Sequence, residues 1–284
     1  MLCSDFDPDR KAVINPEDNF SPLPGFPKMC MGVYSQPIVE SLLQRFGGEE
    51  ILALRFCSGP VPVYRVRALG QEFALFVPHV GGAASGSMME ELAAHGGRCF
   101  VFFGSCGVLR GEITDGHLIL PTAAVRDEGL SYHYLPPADE VALDPACVAA
   151  CRQALESLGL PFVEGKTWTT DGFYRETRGK VRRRREQGCL CVEMECASLA
   201  AVAQFRGLRF AQFFFAADNL DAPAWDARGL PHLGRSVGDQ CFAAAVEAGR
   251  RLLALPCSLP LCLDSSEERA VPLGTALSLF FGCG

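Results

Sequence analysis

From Lys28 onward, short apolar runs alternate with segments whose apolar side chains recur at helical spacing. "KMCMGVYS" (28–35) predicts a strand, and "PIVESLLQRF" (37–46) a helix opened by proline. Three strand-like runs follow, "EILALRF", "VPVYRVRAL" and "EFALFVPHV", with turn residues between them. Next come a helix over 85–96, a strongly apolar strand over 98–104 and a strand within 116–125. A helix near 144–159, a strand within 162–170 and a basic helix over 175–187 continue the pattern. The stretch "GCLCVEMECASLAAVAQFRG" (188–207) pairs an apolar strand with an apolar helix, and a strand over 208–218 and a helix over about 236–254 close it. Near-continuous apolar strands separated by helices predict an α/β fold whose sheet is covered on both faces. The three consecutive early strands predict that the sheet is mixed. Residues 1–27, rich in Pro, Asp and Asn, predict an irregular lead-in, and the periodicity does not extend into 255–284, where Phe280 and Phe281 could dock on an apolar surface or stay unordered.

Composition narrows the function classes. A net charge of −7 argues against general affinity for nucleic acid or anionic lipid. No run reaches the roughly 20 apolar residues of a membrane helix. The opening "MLCSDFDPDRK" carries acids and lacks the apolar centre of an export signal, so a cytoplasmic location is expected. The 14 cysteines are scattered, several inside apolar runs (Cys99, Cys189, Cys191, Cys241), which predicts buried thiols in a reducing compartment. The histidines show no metal-site spacing, and no G-x-G-x-x-G, Walker loop or nucleophile elbow occurs. The seven basic residues of 175–188 read as a solvated helix face.

Candidate chemistry gathers after apolar strands, where open α/β sheets bind ligands. "GSCG" (104–107) reads as a glycine turn ending a strand, able to cradle an anion or sugar oxygen. Glu193 and Glu195 have strand spacing that would put both on one face, and a carboxylate there can accept both hydroxyls of a ribose; the alternative is a helix-capping acid. Asp218 ends the very apolar "FAQFFFAA", so desolvation would raise its pKa toward that of a proton donor; an Asx turn with Asn219 is the plainer reading. Phe173 and Tyr174 suit either a stacking platform or the core.

Together, "FFGSCGVL", "DGHLILPTAAVRDEGLSYHY", "TTDGFYRET", "VEMECASLAAVAQFRG" and "AADNLD" resemble the nucleoside phosphorylase/uridine phosphorylase family, in its order and spacing, from about Lys28 to Arg251. The resemblance implies a three-layer α/β sandwich around a central mixed, partly barrel-like sheet in a domain spanning 28–254. It implies assembly as a homodimer or a trimer of dimers. The implied reaction is reversible phosphorolysis of the N-glycosidic bond, with nucleoside and inorganic phosphate as small-molecule substrates and no further cofactor; related members use water. By the family pattern Met194, Glu195 and Ser105 would bind ribose, with Glu193 behind them. Phe173 and Arg178 would bind the base, Gly104 and Ser105 the phosphate, and Asp218 would protonate the departing base. That acid marks purine-cleaving members, which favours purine over uridine.

At the phosphate end the sequence departs from the pattern. Gln36 and Val39 stand where the first loop's acid and arginine belong, and Phe102 replaces the arginine before "GSCG". Arg55 or Arg65 is left for the third phosphate arginine, with Arg126 and Arg228 as further cations of unassigned place. A phosphate dianion needs fixed positive donors, so phosphorolysis, hydrolysis and binding without catalysis all stay open at this point.

Overall fold

The computed structural model describes residues 5–256. The expectation for the end of the chain, Phe280-Phe281 included, lies outside the described residues. Ten strands form the sheet: β1 Met29–Val33, β2 Glu49–Phe56, β3 Gly59–Ala68, β4 Gln71–Phe76, β5 Cys99–Val108, β6 Leu118–Asp127, β7 Glu140–Ala142, β8 Phe162–Thr170, β9 Cys189–Glu193 and β10 Arg209–Asn219. Eight α-helices accompany them: α1 Pro16–Asn19, α2 Gln36–Phe46, α3 Gly82–His95, α4 Ser131–Tyr134, α5 Pro145–Ser157, α6 Arg178–Glu186, α7 Cys196–Arg206 and α8 Gly238–Ala254. The short α1 interrupts the segment expected to be irregular; Asn15 and Asp18 cap each other's backbone there.

Sequence signals account for the helix ends. Ser35 accepts the N–H of Ile38 to open α2, with Pro37 in the first turn and Gly47 beyond the last. Asp144 accepts from Ala146 and Cys147 ahead of Pro145 to open α5. The basic helix starts later than its charge run suggests, because Phe173–Arg175 forms a 3-10 turn and Thr177 caps α6.

The sheet is mixed, as the pattern predicts. Its order is β10-β6-β8-β9-β5-β1-β4-β3-β2, and β10 also pairs with β5, closing β5, β9, β8, β6 and β10 into a five-stranded barrel. The β1–β4 and β1–β5 pairs are parallel, whereas β2, β3 and β4 form the antiparallel extension. Helices α5 and α8 pack together on one side and α3, α4 and α7 on the other, completing the layers. The core is aromatic: Phe100, Phe102, Phe103, Phe213 and Phe214 of neighbouring β5 and β10 are all buried. Cys99, Cys191 and Cys241 are buried free thiols within it, and Cys189 is a buried free thiol in a second cluster around Trp168. No helix among the described residues is long and apolar enough to cross a membrane.

β5 positions the site. One of its edges follows β10 from Cys99 to Val108. The other pairs with β1 through Phe103 and with β9 from Gly107, so two neighbours diverge around Gly104–Cys106. A crevice where neighbouring strands part is where such sheets take ligands.

Candidate active site

A cavity of about 150 Å³ opens at that divergence. Gly104, Ser105, Phe173, Met194, Glu195 and Asp218 all line it, and so does Glu193. A larger cavity of about 560 Å³ lies between α2 and the start of α8, but it gathers none of these side chains.

"GSCG" is not a turn. It lies inside β5, and its glycines serve close packing: a Cβ on Gly104 would stand 2.9 Å from Cβ of Tyr34. At Gly107 a Cβ would stand 3.1 Å from Oδ1 of Asp218 and 2.4 Å from Leu220. Ser105 is half-buried on the cavity wall with its hydroxyl available there.

The two glutamates do not share a strand face, because β9 ends at Glu193 and the chain turns before α7. Glu193 caps α7: its Oε2 accepts the N–H groups of Glu195 (2.8 Å) and Cys196 (2.7 Å). Its Oε1 accepts the hydroxyls of Thr169 (2.5 Å) and Thr167 (3.3 Å). Burial pushes its pKa up to about 7, against the pull of these four donors. Glu195 is only 6% exposed and accepts the N–H of Gly81 at 2.6 Å. Gly81 has φ 101°, a conformation that suits glycine and aims its N–H at the carboxylate. Burial, then the charge of Glu193, lifts Glu195 to about 8.

Asp218 is 5% exposed at the end of β10, and its Oδ2 accepts the indole N–H of Trp225 at 2.8 Å. Burial raises its pKa; the Trp225 hydrogen bond and the charge of Arg228 oppose the rise. The Asx turn there belongs to Asn219, whose side chain accepts the N–H of Asp221. Glu176 also lines this end, and burial together with the Asp218 charge lifts it to about 7. Phe173 lies on the 3-10 turn, partly exposed, with Tyr174 edge-on to its ring at 4.9 Å. Desolvated carboxyls beside an aromatic platform can donate a proton to a flat heterocycle.

Arg178 does not join the cavity. Its guanidinium donates to the carbonyls of Leu220, Ala222 and Pro223 at 2.7–2.9 Å, which ties α6 to the loop after β10. An exposed-looking cation near an aromatic pair invites assignment as a base reader, but three backbone acceptors already occupy it.

Other cations are also committed elsewhere. Arg126 is buried, bonded to Ser131, Leu135 and Pro136 and lying over the Tyr132 ring. Arg228 donates to the carbonyls of Ile113 and Gly111, and Arg65 pairs with Glu49 on the antiparallel extension. Phe102 is fully buried, its ring lying where a Cβ on Gly32 would stand at 2.3 Å. Among the described residues, none of those lining the cavity is Lys, Arg or His.

Among the residues that line or support the cavity, Tyr34, Glu176, Gln212 and Trp225 bring polar or aromatic chemistry that the sequence reading did not assign to the site. Gln212 had a visible signal, as a lone amide within "RFAQFFFAAD". Trp225 had none, since only the turn after β10 brings it back to Asp218.

The profile of the phosphorylase superfamily matches residues 32–254. The uridine phosphorylase of Salmonella typhimurium is 31% identical over 144 residues, covering 46% of this chain and 57% of that protein. The uridine phosphorylase of Thermococcus kodakarensis is 34% identical over 143 residues, covering 46% and 52%. The guanosine phosphorylase of Halorubrum lacusprofundi is 26% identical over 140 residues, covering 49% and 58%. The chain thus spans between half and three-fifths of the length of these relatives.

Proposed function

Because this chain belongs to the phosphorylase superfamily, we propose that it is a nucleoside phosphorylase, cleaving the N-glycosidic bond to give free base and a sugar 1-phosphate. The observation carrying this reading is the convergence of Asp218, Phe173, Met194, Glu195 and Ser105 on one crevice at the strand ends. Asp218, whose pKa burial raises, gives a proton to the base nitrogen as the C1′–N bond breaks. Phe173 stacks on the base. Met194 and Glu195 hold the sugar, Glu195 accepting from its hydroxyls, while Glu193 fixes the turn that carries them. Ser105 and the neighbouring Gly104 backbone face the nucleophile. An acid at Asp218 suits a purine, whose ring nitrogen must be protonated to leave, and uridine is the second base.

Substrates on this reading are the nucleoside and inorganic phosphate, in the cytoplasm, with no nucleic-acid or membrane partner. Val80, Phe173, Tyr174 and Trp225 leave apolar surface exposed around the mouth, which supports assembly with further copies as a dimer or trimer of dimers.

One observation favours water as an alternative nucleophile: the cavity wall offers a phosphate dianion no cation. Base release from inosine, adenosine, guanosine and uridine, each with and without phosphate, tests both. Phosphate-dependent release supports the phosphorylase; phosphate-independent release with free sugar makes it a hydrolase. Detectable binding without any release rejects both and leaves a nucleoside-binding protein.

A further inference from the structure

Gln212 is 1% exposed, lines the cavity, and its Oε1 is buried with no hydrogen-bond partner. A buried amide oxygen left unpaired costs roughly 1–3 kcal/mol, so such a group on a cavity wall marks the place of a missing donor. Gln212 precedes Asp218 by six residues on β10, with a bulge between Ala216 and Asp218, so the two residues line the crevice at different levels of the strand. It is in register with Phe102 on β5, one strand over. Around it Phe102, Phe210 and Phe214 are buried and apolar, so the amide interrupts an aromatic wall. Packing alone would be served better by leucine or methionine.

We infer that Gln212 holds the oxygen nucleophile of the reaction, its amide oxygen accepting a hydrogen bond from that nucleophile's O–H. The inference rests on the glycosidic-cleavage reading above and goes beyond it by assigning the residue that orients the attack. The chemistry shared by the two possible nucleophiles, water and hydrogenphosphate, is an oxygen that carries both a proton and a free lone pair. In the step, that lone pair forms the C1′–O bond while the C1′–N pair leaves with the base. The base takes the proton of Asp218, the nucleophile sheds its proton to solvent, and Asp218 is reprotonated from solvent. Atoms and charge balance identically for either nucleophile. An amide suits this duty in a wall that already carries Glu176, Glu193, Glu195 and Asp218, since it adds an acceptor without adding charge.

The test is steady-state kinetics of wild type and Gln212→Leu on the best nucleoside, with and without phosphate, alongside melting temperature and nucleoside affinity. Expected is at least a tenfold fall in kcat, with nucleoside KM and affinity changed less than twofold. If hydrogenphosphate is the nucleophile, phosphate KM also rises; if water is, the loss is the same with and without phosphate. Unchanged kcat together with a higher melting temperature overturns the inference, and shows the amide to be a packing residue while the glycosidic-cleavage reading stands. A wild type that releases no base from any nucleoside overturns both. Should Gln212→Leu not fold, Gln212→Met, unbranched and of similar length, carries the same expectations.

Discussion

Trp225 donates its indole N–H to Oδ2 of Asp218 across 2.8 Å, although the indole is 59% exposed and the carboxyl is buried. The proposed acid is therefore hydrogen-bonded by a residue that does not line its crevice. A hydrogen bond to a carboxylate favours the ionised form, so Trp225 holds down a pKa that burial raises. Asp218 must be protonated to donate, so turnover should persist at low pH and fall as pH rises through its pKa. Trp225→Phe keeps an aromatic ring and removes the donor, and the alkaline limb of kcat/KM should move to higher pH. A limb that stays in place would show that Asp218 is not the group titrating. Asp218→Asn should abolish the limb and lower kcat by at least a hundredfold, or about 2.7 kcal/mol.

As the proposed sugar ligand, Glu195 should tie nucleoside binding to protons. With its folded pKa near 8 and an unfolded value near 4.3, it binds more protons folded than unfolded between those limits. Its stabilising contribution is thus full below about pH 4 and is lost as pH climbs through 8; Glu193, near 7, acts in the same direction. Sugar hydroxyls favour the ionised carboxylate, so nucleoside binding at pH 7 should release protons. Calorimetry in two buffers of different ionisation enthalpy reads that release directly. Glu195→Gln, whose side-chain oxygen can still accept from Gly81, should bind nucleoside at least tenfold more weakly, eliminate the proton release and flatten the fall of melting temperature with pH.

Glu193 should behave as a structural carboxylate. Removing it leaves two helix N–H groups and two buried threonine hydroxyls without their acceptor. Glu193→Ala should destabilise the fold by roughly 2 kcal/mol or more, read as a lower urea midpoint. If stability is unchanged while sugar affinity collapses, Glu193 rather than Glu195 is the sugar ligand.

The local pattern made the elements legible, and the nonlocal geometry stayed hidden. Alternation located β1 to β6 and β8 to β10, because a strand buried on both faces is written as an apolar run. "GSCG" misled because glycine usually marks a turn; here β10 pairs alongside it and Tyr34 needs the missing side chain of Gly104. The short β7 and α4, and the barrel closure by β10 and β5, depend on contacts distant in sequence. The positions of Asp218, Glu195 and Phe173 at strand ends or turns were readable, and the resemblance already set Glu193 behind Glu195, whereas the hydrogen bonds by which Glu193 caps α7 hung on where β9 stopped. For Arg178 the sequence shows a cation, but not the carbonyls that hold it.

The place of Arg178 is itself testable. The Arg178 guanidinium binds three carbonyls between Leu220 and Pro223, directly ahead of Trp225 on the chain. It therefore anchors the loop whose return brings the indole to Asp218. Arg178→Met retains much of the aliphatic stem and loses all three hydrogen bonds, so the loop should loosen and the Trp225–Asp218 contact should be made less often. The expected result is a loss of about tenfold in kcat/KM, or 1.4 kcal/mol, shared equally by inosine, adenosine and uridine. A residue that reads the base would give a different pattern, with uridine losing far more than the purines, or the reverse. Equal losses accompanied by weaker quenching of Trp225 fluorescence by an added nucleoside would locate the defect in the loop. A change in the ratio of purine to uridine turnover beyond about threefold, half of the tenfold loss on a logarithmic scale, would return Arg178 to the base site.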